Sequence, residues 1–191
     1  MTARTTMDDL IGKLRAAANA GTADYTLAGV DYWSDDQLQI ELDQIREPVN
    51  YQEMDAIETY GVGGTVTYTE YRTYLQDWEK SPTIQDEGGT ALGTAVVTFD
   101  ANTGVATFAS DTEGKTRRIT GYTYNVNKAA ANVWRKKAAH LSAAFDFSTD
   151  NHSIKKSQIY EHCMQMADMF DGFAGYDSGS AQLVRGDDVV R

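Results

Sequence analysis

Residues 134–173 place two apolar stripes on either side of a polar turn, and this pattern restricts the fold more than any other part of the chain. Trp134, Ala138, Leu141 and Phe145 fall at i, i+4, i+7 and i+11 and share one helical face. Ile159, Cys163, Met166 and Phe170 repeat the spacing, with Met169 and Phe173 widening the stripe. Between them, Asp146-Phe147-Ser148-Thr149-Asp150-Asn151-His152-Ser153 is rich in side chains that bond nearby backbone and favour turns or helix starts. The pattern predicts a helical hairpin that needs a further surface to bury it.

Upstream, Thr6 is a predicted helix cap, with Asp8 and Asp9 in the first turn. Leu10, Ile11 and Leu14 form a short stripe that ends near Ala18, and Asn19-Ala20-Gly21 stops it. Residues 24–32 read as a loop or short extended piece around Gly29. A second helix then opens on a capping box of Ser34 and Gln37, with Trp33 and Leu38 at the positions of a hydrophobic staple. Leu38, Leu42 and Ile45 carry its stripe to Pro48, which is expected to end it.

The middle changes character. A Gly61-Val62-Gly63-Gly64 breaker precedes a β-branched and aromatic strand at 65–71, and residues 76–93 read as loop. Residues 94–99 and 105–108 are predicted strands joined by Asp100-Ala101-Asn102-Thr103-Gly104, and a further strand runs from about 116 to 124. Asn125 or Asn127 caps the helix that follows. The expected architecture is α+β but mainly a helical bundle. Residues 1–60 (N-terminal helices) and 125–173 (C-terminal hairpin) form one helical core, 61–124 an inserted small antiparallel β-sheet, and 174–191 a flexible, extended C-terminal tail. Two readings fit that tail: plain terminal disorder, or an arm that orders on a partner through Leu183, Val184, Val189 and Val190.

Charge narrows the function classes. A formal net charge of −11 argues against nonspecific binding to phosphate backbones or anionic membranes. One cysteine, Cys163, permits no internal disulfide and excludes a cysteine-based zinc site. No apolar run has membrane-spanning length and the start MTARTTMDD lacks a signal-peptide core, so the chain is expected to be intracellular when made.

Chemistry-bearing patterns are sparse. His140 and His162 can face one another across the hairpin, with Asp146 or Asp150 as oxygen ligands, but no pair has H-E-x-x-H or another ligand spacing. Cys163 lies on an apolar stripe and reads as a small core residue. The glycines at 61–64 lack the lysine of a phosphate-binding loop, and there is no G-x-S-x-G elbow. No catalytic, metal or cofactor-binding residue is assigned, and an enzyme is not expected.

Two features ask for a partner. Arg135-Lys136-Lys137 and Lys155-Lys156 are basic groups on the hairpin of an acidic chain, either a solvated helix face or a charge-complementary contact between copies. Tyr68, Tyr71, Tyr74, Trp78, Tyr122 and Tyr124 make the sheet aromatic, which suits either a core or an interface.

Asp24-Tyr25-Thr26, the run Tyr32-Trp33-Ser34-Asp35-Asp36-Gln37-Leu38, AAANVWRKKAAH at 129–140 and the turn at 145–152 together resemble head–tail connector (adaptor) proteins of tailed bacteriophages. Lys156-Ser157-Gln158 and residues 162–166 extend the likeness, which covers roughly half of the chain; the sheet resembles the family in placement only. The resemblance implies a structural virion protein at the capsid vertex or neck, assembled in the host cytoplasm. Family members form a ring, typically twelvefold, beneath the portal protein. The C-terminal tail would reach the portal, the sheet and loops would meet the next neck or tail protein, and genomic DNA would pass an acidic lumen without specific binding. The likeness supplies no catalytic residue. The alternatives are another neck, tail-completion or capsid-decorating protein, or a small non-catalytic binding module using the aromatic sheet.

Overall fold

A computed structural model describes residues 2–142, 147–149, 152–154 and 156–177. The chain opens with a short 3-10 turn, Thr5–Met7, and helix α1, Asp8–Ala17. Thr6 does not cap it; its hydroxyl instead donates to Glu79 Oε1 at 2.7 Å. Strands β1 (Tyr25–Leu27) and β2 (Val30–Tyr32) form a hairpin across Ala28 and Gly29, both at positive φ, where a loop or short extended piece was expected. Helix α2, Asp35–Asp43, begins as its sequence predicts: Ser34 and Gln37 form both bonds of the capping box, and Trp33 and Leu38 are buried.

The expected helical bundle with a small inserted sheet is corrected here. Strand makes up 31% of the described residues, which also form four α-helices, and the architecture is an α+β fold built on a six-stranded antiparallel sheet that curls toward a barrel. The main cause is β3, Arg46–Tyr60, a 15-residue strand lying wholly inside the segment read as N-terminal helices. Its residues are mostly exposed and show no strict alternation, so period-two patterning gave no signal. Pro48 lies within this strand rather than stopping a helix. There β3 is paired on one side only, through Pro48 and Tyr122 of β8, and an edge position tolerates a residue without an N–H.

The remaining strands are β4 (Val66–Arg72), β5 (Thr83–Gln85), β6 (Val97–Asp100), β7 (Val105–Phe108) and β8 (Arg117–Tyr124). They are ordered β5-β8-β3-β4-β7-β6. Residues 76–93, expected as loop, contain β5. The loop joining β6 and β7 is held by Asp100, which accepts from Asn102 N–H at 2.9 Å and from the Thr103 hydroxyl at 2.7 Å. Met54, Tyr71, Ile84, Val97, Ala106, Phe108 and Ile119 draw one core from all six strands, with Trp78 packed among them.

Helix α3, Val126–Ser142, is capped by Asn125, whose side-chain oxygen accepts from Lys128 N–H at 2.9 Å. After two short strands, β9 (Phe147–Thr149) and β10 (His152–Ile154), helix α4 spans Lys156–Asp177. The helical core joins Leu10, Ile11 and Leu14 of α1, Leu38 and Leu42 of α2, and Val126, Ala129, Ala130 and Val133 of α3. Tyr124 at the end of β8 belongs to the same cluster and ties it to the sheet.

The hairpin stripes are only partly as expected. Trp134 and Ala138 of α3 pack against Cys163 and Ala167 of α4, with Leu141, Met166 and Phe170 partly buried beside them; Phe145 lies outside the described residues. Ile159, Met169 and Phe173 are exposed. The apolar arc of α4 is therefore wider than the surface α3 offers it.

Candidate partner interface

The basic cluster on α3 is engaged by its own chain. The Arg135 guanidinium pairs with Asp171 of α4. The Lys136 ammonium contacts Glu41 of α2, whose side chain is only 4% exposed. Lys137 donates to the carbonyls of Ala18 at 3.0 Å and Asn19 at 2.8 Å, reaches Asp24 at 2.6 Å, and stands 4.9 Å from the Trp134 ring centroid. Three consecutive cations thus fasten α3 to α4, α2 and the segment leading into β1. Lys155 lies outside the described residues, as do Leu183, Val184, Val189 and Val190. Lys156 opens α4, and its side chain is likewise outside that set.

The histidines are separated by different packing roles. His140 stacks on Tyr25 at 4.0 Å, and Tyr25 stacks on Tyr32 at 5.0 Å, so the β1–β2 hairpin lies against α3 through three parallel rings. Burial, with the nearby Tyr32 hydroxyl, pushes the Tyr25 phenol up to about 12. His162 instead meets the edge of Trp134 at 6.0 Å. Among the described residues no group of three or more His, Cys, Asp or Glu side chains is arranged to hold a metal ion. Burial raises the Cys163 thiol above its ordinary range, against a smaller opposing effect of Lys137.

The sheet aromatics divide as well. Tyr71 and Trp78 are core residues, and the Tyr124 hydroxyl donates to Glu79 at 2.8 Å within a buried joint. Arg4 and Arg46 also meet Glu79, and Arg4 reaches Asp43 at 2.7 Å. Tyr122 is covered by the Arg46 guanidinium at 3.3 Å, whereas Tyr74 is 77% exposed. An aromatic platform of six rings is not assembled on one face.

Among the described residues, exposed uncharged surfaces include the small β1–β2 tip, where Leu27 and Val30 are half exposed, and two longer ones. On α4, Gln158, Ile159, His162, Met166, Met169 and Phe173 fall on one helical arc that carries no Asp, Glu, Lys or Arg between residues 158 and 173. It spans about 21 Å from Ile159 to Phe173 at helical rise. The acidic residues Glu161, Asp168 and Asp171 lie off that arc, Asp171 turned to Arg135 of α3. The second surface is the β3–β4 arm. Strand β8 pairs with β3 only as far as Met54, and β7 pairs with β4 only from Glu70, so the ladder at Thr59–Thr67 and Tyr60–Val66 has two strands alone. At its tip Val62 is fully exposed and Tyr60 is 70% exposed. Residues 59–69 carry no charged side chain. The arm is hidden in sequence because β3 gives no strand signal; on α4, periodicity puts Ile159, Met166, Met169 and Phe173 in one stripe with Cys163 and Phe170 and does not separate the exposed positions from the buried ones.

No helix among the described residues is long and apolar enough to cross a membrane. Comparison with protein-family models, curated proteins and solved structures finds no match to this chain.

Proposed function

We propose that this chain is a structural subunit of a tailed-phage virion, a head–tail connector (adaptor) that forms a ring under the portal and links the DNA-filled capsid to the neck or tail. The observation that carries the reading is the charge-free apolar strip of α4. A ring wall needs lateral contacts, and copies that each carry a net charge of −11 repel one another except where the facing surfaces are uncharged. Isolated exposed apolar side chains are ordinary, but a continuous strip beside a helix–helix seam is a surface suited to a partner. The sequence likeness at 32–38 and 129–140 falls on α2 and α3 of the helical layer. The acidic balance suits a lumen that DNA traverses without adhering.

In this reading the portal is met by the residues after α4, and the next neck or tail protein by the sheet and its loops. The ring is twelvefold. The test is electron microscopy of the protein at high concentration and of particles carrying its portal. Rings, or density stacked directly below the portal, are expected. A chain that never joins particles overturns the connector reading.

A further inference from the structure

We infer that the β3–β4 arm of one copy seats its tip on the α4 strip of the next copy, so that ring subunits are joined by two unlike patches of the same chain. The inference rests on the connector reading for its ring, and on the two surfaces for its contact. The occupant of the strip is residues 60–66 of a second copy, with Val62 as the apolar point and Tyr60 and Val66 beside it.

Three observations lead there. First, the arm is built to reach outward. Its tip turns through Gly63 and Gly64, both at positive φ, and Gly61 N–H bonds the Thr65 carbonyl at 2.8 Å, so the hairpin closes on itself. Its base is anchored where Tyr68 N–H donates to Asp111 at 2.9 Å and Thr112 N–H donates to the Tyr68 carbonyl at 3.1 Å. Among the described residues, none of 60–66 packs into a core cluster of its own chain. A fully exposed valine at the end of an anchored arm is a contact residue placed away from the body.

Second, the charges match by their absence. With 28 acidic side chains in 191 residues, most surfaces of two copies repel. Residues 61–66 at the tip and the α4 arc are both free of charged side chains; Glu58, whose carboxylate accepts from the Tyr60 hydroxyl at 2.5 Å and the Tyr68 hydroxyl at 3.2 Å, borders the contact on the arm, and Glu161 and Asp168 of α4 lie off its arc. Third, the symmetry fits. A patch that pairs with its own kind gives a closed two-fold dimer, whereas two unlike patches give a head-to-tail contact, the kind from which a ring is built when the rotation between copies closes. One chain carrying two different apolar patches has what such a ring requires.

The experiment uses cysteine cross-linking of the full chain in a Cys163→Ala background. Val62→Cys and Phe173→Cys are prepared singly, mixed in equal amounts, and combined in one chain. Both positions are exposed, and retained folding is checked by circular dichroism. A short bismaleimide is added in solution at high concentration and, separately, on particles. The expected result is a dimer from the mixture, none from either single variant, and a ladder of oligomers from the combined variant. Dimers from Phe173→Cys alone mean that strips pair with strips, and dimers from Val62→Cys alone mean that tips meet; either overturns the inference. So does a purely intramolecular link, or no link at all. Wild-type protein that stacks below the portal while the mixture stays unlinked overturns this contact and leaves the connector standing. Unlike pairs that link in solution, with a wild-type chain that never joins particles, overturn the connector and leave the contact.

Discussion

Lys136 and Glu41 are joined across the helical core: the ammonium on α3 contacts a carboxylate on α2 that is almost completely enclosed. The second carboxylate oxygen, Glu41 Oε2, is buried and has no hydrogen-bond partner among the described residues. Lys136 is therefore the cation that makes this enclosure tolerable. A sequence-level basic cluster has become an internal fastening.

Removing Lys136 leaves the carboxylate behind, so Lys136→Met is expected to destabilise by about 1–3 kcal/mol. Glu41→Gln removes the charge with little change in shape and is expected to cost less. The double variant is expected to be more stable than Lys136→Met alone, because the stranded charge is gone. Chemical denaturation of the three variants checks this. Equal losses for Lys136→Met and a control Lys128→Met would show that the pair contributes nothing.

Trp134 packs against Cys163 and Ala167, and its indole N–H donates to the Ala17 carbonyl at 3.3 Å. Trp134→Ala is expected to cost about 3–5 kcal/mol, the scale for a buried aromatic. Phe173→Ala on the same hairpin is expected to stay within about 0.5 kcal/mol, since Phe173 is half exposed. The contrast between the two variants, read from denaturation midpoints, tests the face assignment of the hairpin.

Local rules were legible in the sequence where one short segment decides the outcome. The Ser34–Gln37 box, the Trp33–Leu38 staple, an asparagine cap at 125 or 127 (Asn125 in the structure) and β7 at Val105–Phe108 all follow from residues a few positions apart. What was not legible depends on distant partners. Strand β3 is specified by β8 for one half of its length and β4 for the other, and its own mostly exposed pattern without strict alternation does not announce a strand. The α4 stripe shows the same limit. Periodicity marks Ile159, Met169 and Phe173 as apolar positions on a helix, but the width of α3 decides which of them it covers.

Glu79 supplies the pH dependence. Burial alone would raise its carboxyl, but hydrogen bonds from the Thr6 and Tyr124 hydroxyls and the charges of Arg4 and Arg46 outweigh it and hold the group below its ordinary value. A depressed folded-state pKa stabilises the protein above the unfolded value of about 4.3 and loses that contribution as pH falls through the folded value. Stability is expected to fall as pH drops from about 5 through the unfolded value and on through the lower folded one, and Glu79→Gln to flatten that fall while lowering stability at pH 7. Denaturant midpoints at stepped pH measure both. An unchanged slope in Glu79→Gln would assign the acid sensitivity to other carboxylates.

Gly104 turns the β6–β7 loop at φ +71°, and a Cβ there would strike the Leu75 carbonyl and crowd the Thr73 hydroxyl. Thr73 N–H also bonds the Gly104 carbonyl at 2.9 Å, so the loop cannot move aside without breaking that bond. Gly104→Ala is expected to cost at least about 1–3 kcal/mol. Gly63→Ala, also at positive φ but with nothing within 4 Å of its Cβ, pays only the backbone term of about 1–2 kcal/mol. The gap between the two measures the close approach separately from the conformation.

The span expected from sequence to be a tail begins inside α4, at Ala174, which is buried and whose carbonyl accepts from the Asn125 amide at 3.0 Å. Asn125 thereby caps α3 with one side-chain atom and holds the last turns of α4 with another. Deleting 174–191, the span expected from sequence to be a separate tail, removes that contact and is expected to destabilise the hairpin by about 0.5–1.5 kcal/mol for the lost hydrogen bond, with the packing of Ala174 in addition. Deleting 178–191 spares Ala174 and is expected to keep the fold while abolishing attachment to the portal. Circular dichroism with denaturation reads the first effect, and particle binding reads the second. Normal attachment of the shorter deletion would move the portal contact onto α4 itself, and equal stability of the two deletions would show that the Asn125–Ala174 bond does not hold the hairpin closed.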